Sequence, residues 1–244
     1  MKILVINAGS SSIKFRLLNK QDLSPVVDGI LERIGTKDSQ LNYCLFKEQG
    51  TIDKLEELVS INAAAEGFKL LLDTLRNRVC VNQPLDLVAI GHRVVHGGEQ
   101  FMQSVLISGS VIDAIRENSP LAPEHNPANL TGIEIFREVF PATPQVAVFD
   151  TAFHQTIPDK AYRYPLPETL YSEHKIRRYG FHGTSHQYVA HCAAQVLDKP
   201  VSQLNLITLH LGNGASATAV QEGRSIDTSM GMTLGCRKSP FRRP

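Results

Sequence analysis

Hydrophobic and polar positions near the start of the chain alternate as they do in paired strands. Residues 3–6 (ILVI) form a continuous apolar run, which predicts a buried strand. Residues 13–18 alternate, so that Ile13, Phe15 and Leu17 share one face. The polar stretch NAGSSS lies between the two runs, and it therefore predicts a strand-turn-strand connection.

The rest of the chain alternates between helical and strand patterns. Helical spacing covers residues 54–77 and 109–117, a third helix opens at Asn126 as N-cap with Pro127 in its first position, and Thr184 or Ser185 caps a fourth. Apolar runs predict strands at residues 85–90, 145–150, 204–211 and 217–220. Strands that alternate with helices predict an α/β protein.

Two segments far apart in the chain share one plan. LVINAGSSSIKF and ITLHLGNGASATAV are each an apolar strand, a loop of small polar residues and a second strand. This similarity predicts two related domains, although two hairpins with Gly turns also arise by chance. We place the first domain at residues 1–149 and the start of the second at residues 150–233, with a divergent tail at 234–244.

Composition narrows the class of protein. The chain has 244 residues, 42% of them hydrophobic and 20% charged, with a formal net charge of +1. Such a balance favours a folded core and argues against a dedicated nucleic-acid or membrane-surface binder. No apolar run is long enough for a membrane span or a secretory signal. The four cysteines are widely spaced, which favours reduced thiols, so we expect a cytoplasmic protein.

The first loop carries groups that suit a phosphate. If residues 10–14 are extended, Ser10, Ser12 and Lys14 point the same way beside Gly9. Hydroxyls and an ammonium on one side favour phosphate binding. The loop has neither a Walker A motif nor a following helix, as a dinucleotide fingerprint requires. The alternative is a Ser-rich turn that faces solvent.

Further segments supply candidate partners for that phosphate. The loop at His210, Leu211, Gly212, Asn213 and Gly214 is either a second phosphate loop or an ordinary Asn-Gly hairpin turn. Arg93, in GHRVVHGGE, is placed to bind an anion or to form a structural ion pair. A metal site from the neighbouring histidines is not favoured, because they do not share a helical face.

An acid and a histidine complete the candidate set. Asp150 ends a strand, where α/β proteins place functional acids, and His182 precedes a helix N-terminus, a natural anion site. A structural histidine is the alternative for His182. GTSH resembles a nucleophile elbow, but Gln187 occupies the position of its second glycine. The combination of cations, hydroxyls and a carboxylate favours phosphoryl transfer.

Six motifs in order carry a resemblance to a known family: INAGSSSIKF, GHRVVHGGE, APEHNP, VFDTAFHQT, RRYGFHGTSH and LHLGNGASATAV. They are similar to those of the acetokinase family, in the sugar kinase, Hsp70 and actin superfamily. The resemblance implies a ribonuclease H-like, actin-like ATPase fold of two similar domains that clamp ATP. It implies reversible phosphoryl transfer from ATP to acetate, giving acetyl phosphate and ADP, with Mg²⁺. The family forms homodimers, largely through a region that has no counterpart here.

The resemblance also implies roles for individual residues. Asp150 would be the catalytic acid, His182 would stabilise the transferring phosphoryl group, and Arg93 would bind substrate. Asn7 would be associated with magnesium. Val95, His125 and Phe181 would form the acetate pocket. The phosphates of ATP would contact Ser10, Ser12, Lys14 and the loop His210, Leu211, Gly212, Asn213 and Gly214.

The chain departs from the family pattern at two places. Glu124 replaces a leucine, and a carboxylate beside an acetate pocket repels the substrate unless it turns away or is paired. After SMGMT the family continues into the adenosine pocket, whereas this chain ends in LGCRKSPFRRP. We interpret that tail as frameshifted, an idea that fails if no other reading frame of the gene restores the family pattern. We therefore expect an incomplete second domain and negligible turnover by this chain. A propionate or butyrate kinase, or a non-catalytic remnant, stays open.

Overall fold

The computed structural model describes residues 1–47, 52–80, 86–212 and 214–233. These residues divide into two compact units. Unit 1 comprises residues 1–94, 105–119 and 123–147, and unit 2 comprises residues 95–104, 120–122 and those from 148 onward. The proposed domain boundary after residue 149 stays a prediction.

Unit 1 is built on an eight-stranded sheet with the order β5-β4-β3-β2-β1-β6-β8-β7. Its strands are β1 (Lys2–Ala8), β2 (Ser12–Asn19), β3 (Pro25–Glu32), β4 (Thr36–Phe46), β5 (Ile52–Ile61), β6 (Leu87–Val94), β7 (Val105–Leu106) and β8 (Gln145–Phe149). Strands β1 to β5 pair in antiparallel fashion in sequence order, and β6 lies parallel to β1 on its other edge. β1 is therefore an interior strand.

Three helices accompany this sheet: α1 (Ala64–Thr74), which continues as a π-helical turn over Leu75–Val79, α2 (Gly109–Glu117) and α3 (Asn126–Val139). Phe68 of α1 and Phe136 of α3 meet edge to face, with their ring centroids 6.1 Å apart. They share one buried cluster with the inward residues of β1 and β2, including Leu4 and Phe15. The alternation predicted for β2 is confirmed, since Ile13, Phe15 and Leu17 are all buried.

Two predictions in unit 1 were wrong in part. Residues 52–61, assigned in part to a helix, form β5, because pairing with β4 overrides the helical propensity of KLEEL. Its inward positions Glu57, Val59 and Ile61 follow a period of two. Residues 3–6 form the predicted strand, as part of β1, but this strand is buried on one face only, since Val5 is 40% exposed.

Helix α2 begins and ends where the sequence predicts. Other boundaries shift by a few residues: α3 begins at Asn126 with His125 as its N-cap, and the strand predicted at 85–90 runs from Leu87 to Val94. Leu85 lies outside the described residues.

Unit 2 contains a three-stranded antiparallel sheet, β11-β10-β9, with β9 (Asn205–Leu211), β10 (Ala215–Gln221) and β11 (Arg224–Thr228). Its helices are α4 (Asp159–Tyr162), α5 (Glu168–Ser172) and α6 (Gly183–Val196). Phe153, Ala190 and Val220 form a small buried cluster in this unit. Within the described ranges, no strand pairs with the second edge of β9.

Candidate functional site

The first candidate group of unit 1 lies where three neighbouring strands place polar residues side by side. Asn7 on β1 is the register partner of Lys14 on β2 and of Arg93 on β6. The Arg93 guanidinium donates a hydrogen bond to Asn7 Oδ1 at 2.8 Å. The pairing of β1 with β6 therefore brings together Asn7 and Arg93, which are 86 positions apart in the chain.

The first loop closes tightly beside this group. The Gly9 amide donates to the Ser12 carbonyl oxygen at 2.8 Å, so strand β2 begins at Ser12. Ser12 and Lys14 lie on the face opposite to Ile13, as the sequence predicts. Ser10 belongs to the turn and is exposed, so the extended run predicted from residue 10 begins two residues later.

The start of α3 lies next to the end of β1. The Asn129 side chain donates to the Ala8 carbonyl oxygen at 2.8 Å, which ties the helix to the strand just before the loop. His125 is half-buried at the N-cap. Glu124, the predicted source of repulsion toward acetate, is exposed.

In unit 2, Asp150 is joined to the first turn of α6. The Gly183 amide donates to the Asp150 carbonyl oxygen at 3.0 Å, and the Thr184 hydroxyl donates to its carboxylate at 3.2 Å. A Cβ at position 183 would lie 2.3 Å from that carbonyl oxygen, so only glycine fits. Asp150 itself is buried.

The N-cap residue of α6 is His182, and the predicted caps Thr184 and Ser185 were wrong. His182 has a left-handed backbone, with φ of 59°, and the helix has no side-chain cap. The hydroxyls that would have capped the helix have other partners, since Thr184 binds Asp150 and Ser185 binds His210 at 2.9 Å. The prediction that His182 directly precedes a helix is confirmed.

The second loop lies against His182. The ring of His182 stacks on that of His210, with 4.0 Å between their centroids. A Cβ on Gly214 would lie 3.2 Å from Cε1 of His182. The Gly212 amide donates to the Gly214 carbonyl oxygen at 3.1 Å and closes the turn. Leu211 is exposed, and Asn213 lies outside the described residues.

Unit 2 holds polar residues that sequence reasoning missed. His186, Ser216 and Thr208 are buried, and they are linked to His182 by hydrogen bonds of 2.8 Å. His154 bonds to Ser225 and to the Phe181 carbonyl oxygen. Burial lowers the pKa of both His154 and His186 to about 4, so both rings are neutral at pH 7. One signal was available, since His182 and His186 are four residues apart at the start of a helix.

Val95 and Phe181, the predicted walls of an acyl pocket, are both fully buried. They pack in one cluster with Ala122 and Met230. The Phe181 ring also meets His96 edge to face, with centroids 5.6 Å apart. The structure therefore places Val95 and Phe181 together in unit 2.

The residues around Asn7 do not form a magnesium site by themselves. Mg²⁺ prefers carboxylate and phosphate oxygens in an octahedral shell. The Asn7 oxygen accepts from a guanidinium, which is a competing cation. Among the described residues, no group of three or more His, Cys, Asp or Glu could hold a metal ion.

Comparison with known proteins identifies the family. The model of the acetokinase family matches residues 2–235. The chain belongs to the acetokinase family. The acetate kinase of Syntrophobacter fumaroxidans is 53% identical over 234 residues, which are 96% of this chain and 57% of that protein. The chain thus spans little more than half the length of the relatives it matches.

Solved structures of the family share the fold. The acetate kinase of Porphyromonas gingivalis superimposes with a TM-score of 0.84 at 41% identity, covering 96% of this chain and 58% of that one. A propionate kinase of Francisella tularensis gives a TM-score of 0.85 at 45% identity with the same coverage. The predicted α/β, ribonuclease H-like fold is therefore confirmed. The roles predicted for individual residues stay predictions.

Proposed function

We propose that this chain forms part of an acetate kinase site, which carries out the reversible transfer of a phosphoryl group from ATP to acetate. The observation that supports it best is the placement of His182 against the second loop. The acetokinase resemblance gave the histidine and the loop separate roles toward phosphate, and unit 2 brings His182, His210 and Gly214 into contact. In this reaction an acetate oxygen bonds to the γ-phosphorus, and the bond from that phosphorus to ADP breaks.

Unit 1 supplies permanent positive charge for this reaction. The Arg93 guanidinium is oriented by Asn7, and a fixed guanidinium can bind a carboxylate or phosphoryl group through two parallel hydrogen bonds. Lys14 lies across Asn7 from it, and Ser10 and Ser12 add hydroxyls at the loop. We assign the phosphate contacts to Ser10, Ser12 and Lys14, and substrate binding to Arg93.

Unit 2 supplies groups that are buried or titratable. We assign His182 to the phosphoryl oxygens, where a donor aimed at developing charge lowers the barrier most. Asp150 acts as the catalytic acid, and its carboxylate is held by Thr184. The loop from His210 to Gly214 binds the phosphates of ATP. Val95, His125 and Phe181 bind acetate.

Mg²⁺ belongs to the same proposal. When bound, the ion would neutralise part of the negative charge of the ATP phosphates. By the family resemblance, the side-chain oxygen of Asn7 would be associated with the ion.

We also propose a cytoplasmic location. Cys44, Cys80 and Cys192 are free thiols, and no helix among the described residues is long and apolar enough to cross a membrane.

A propionate kinase is the second candidate, because one of the similar solved structures is a propionate kinase at 45% identity. The two activities differ by one methylene in the acyl pocket. A single methylene discriminates by roughly 10 to 200-fold. Neither the exposed Glu124 nor the buried Val95 decides between them.

The test is an assay of acyl phosphate formation, with the product trapped as its hydroxamate. The 244-residue chain is compared with a completed chain, in which residues 1–233 are joined to the remaining part of the Syntrophobacter fumaroxidans relative. Acetate, propionate and butyrate are offered with ATP and Mg²⁺, and Arg93→Ala is the control.

We expect the completed chain to form acetyl phosphate and the control to lose at least about 100-fold. We expect negligible product from the 244-residue chain alone. A completed chain that folds and phosphorylates none of the three acids would contradict the proposal. A preference for propionate over acetate would instead support the second candidate, a propionate kinase.

A further inference from the structure

A chain of hydrogen bonds runs from His182 into the interior of unit 2. The Nδ1 atom of His182 lies 2.8 Å from Ser216 Oγ, which lies 2.8 Å from Nε2 of His186. The Nδ1 atom of His186 lies 2.8 Å from Thr208 Oγ1, which lies 3.5 Å from the Thr218 carbonyl oxygen. The proposed function involves only His182 and gives no role to the buried residues that are hydrogen-bonded behind it.

The number of protons limits how this chain can be arranged. A serine hydroxyl has one proton and can accept two hydrogen bonds, so between two ring nitrogens it donates to at most one. At least one of the two nitrogens that face Ser216 therefore carries a proton. Three arrangements satisfy this condition, in which His182, His186 or both donate to Ser216.

The contact of Thr208 with a carbonyl group selects one of them. A carbonyl oxygen only accepts, so with its single proton turned toward Thr218 the Thr208 hydroxyl accepts from Nδ1 of His186. Because His186 is neutral, its Nε2 then has no proton and accepts from Ser216. Ser216 in turn accepts from Nδ1 of His182. Each hydroxyl in the chain donates once and accepts once.

We infer that His186 is a positioning residue, which acts through Ser216 to hold His182 with its proton on Nδ1. The hydrogen bond made by one ring nitrogen of a histidine decides whether the other is protonated. With Nδ1 occupied, Nε2 carries a proton only when the ring is a cation. A phosphoryl oxygen can then receive a hydrogen bond from Nε2 only together with a full positive charge.

The importance of this for phosphoryl transfer rests on the proposed function, but the position of the proton does not. Charge-assisted hydrogen bonds are about twice as strong as neutral ones. Several titratable groups surround the two rings. His210 stacks on His182, and His154 lies beside His186. After burial, the neighbouring histidine rings lower the pKa of His186 further, whereas the carboxylate of Asp150 raises it.

The test is a long-range ¹H–¹⁵N NMR spectrum of the histidine rings in the purified 244-residue chain at neutral pH. His182→Gln and His186→Gln assign the signals. We expect His186 to be neutral with its proton on Nδ1, and His182 to be protonated at Nδ1 whether it is neutral or charged. A neutral His182 with its proton on Nε2 would overturn the inference.

Two matched serine variants sharpen the result. Ser216→Ala removes the acceptor of His182, so we expect the proton of the neutral ring to move toward Nε2. Ser185→Ala removes the hydroxyl bonded to His210 and should leave the His182 signals in place. If both variants leave His182 unchanged, Ser216 does not hold the proton and the inference is wrong. Because these spectra need no turnover, they can fail or succeed independently of the hydroxamate assay.

Discussion

The two hairpins of this chain share a backbone plan and differ in almost everything around it. The loop between β1 and β2 is closed by one amide-to-carbonyl bond, and so is the loop between β9 and β10. β1 lies inside a sheet, with Leu4 and Ile6 buried, whereas β9 turns Ile207, Leu209 and Leu211 outward and only Thr208 is fully buried. The same type of β-hairpin can therefore be supported by an apolar core, as at β1, or by a polar network, as at β9.

The chemistry of the two loops differs in the same way. The first loop lies beside the cationic side chains of Lys14 and Arg93. The second loop lies beside His182 and His210, whose hydrogen bonds depend on which ring nitrogen carries the proton. Family membership explains why both loops are present, and the comparison indicates that they contribute different kinds of charge.

The largest expected effect is a difference in acid stability between the units. Burial lowers the pKa of His92 in unit 1 to about 4, and that of His96, His154 and His186 in unit 2 likewise. Between pH 6.5 and pH 4 these four histidines are protonated in the unfolded chain but stay neutral in the folded protein. Their contribution is thus complete above pH 6.5 and is lost as the pH falls through that window. A fully buried histidine of this kind contributes up to about 3 kcal/mol.

Hydrogen exchange at pH 7 and at pH 5 measures this difference amide by amide. We expect the amides of unit 2 to lose more protection than those of unit 1. His92→Gln should reduce the loss in unit 1 without changing unit 2. Equal losses in both units, or a larger loss in unit 1, would contradict the assignment of more buried neutral histidines to unit 2.

A matched pair of substitutions compares the first strands of the two hairpins, β1 and β9. Leu4 on β1 has no exposed surface, so Leu4→Ala should cost about 2–5 kcal/mol of unfolding free energy. Leu209 on β9 is 58% exposed, so Leu209→Ala should change it by less than about 0.5 kcal/mol. Urea unfolding measures both. A cost for Leu209→Ala comparable to that for Leu4→Ala would show that the outward face of β9 is covered in solution.

The smallest effects are expected at the loop glycines. A Cβ on Gly9 would lie in ordinary van der Waals contact, 3.5 Å from Ser12 Oγ. Gly9→Ala should therefore change the free energy of unfolding by less than about 0.5 kcal/mol. A Cβ on Gly214 would press on the His182 ring, so Gly214→Ala should shift the ring signals of His182 in the NMR spectrum. Gly212→Ala, with its nearest atom at 3.7 Å, is the control that should not. Unchanged His182 signals in Gly214→Ala would separate the loop from the histidine.

Local patterns predicted the elements that local interactions determine. Helix α2 and the alternation of β2 follow from their own residues. β5 did not, because its short amphipathic sequence is compatible with either structure, and only pairing with β4 decides between them. The predicted caps Thr184 and Ser185 failed for a related reason, since Asp150 and His210 compete for their hydroxyls.

The candidate site divides in the same manner. The residue types near each loop were visible in the sequence, and the family resemblance supplied their roles. The contacts of Asn7 with Arg93 and of His182 with Ser216 depend on strand pairing and on packing over long stretches of chain. His186 and Thr208 escaped notice because a buried histidine and a strand threonine are ordinary in isolation. They become informative only when their hydrogen bonds are known.

The most direct test of the account is a double-mutant cycle on the completed chain, with ATP formation from acetyl phosphate and ADP as the readout. Arg93 and His182 are both proposed to act on one phosphoryl transfer. Arg93→Ala and His182→Gln should each lower kcat/KM by about 100-fold or more. Residues that act on one transition state are not additive, so the double variant should lose clearly less than the product of the two single losses. Losses that simply multiply, or a single variant that keeps full activity, would contradict the account.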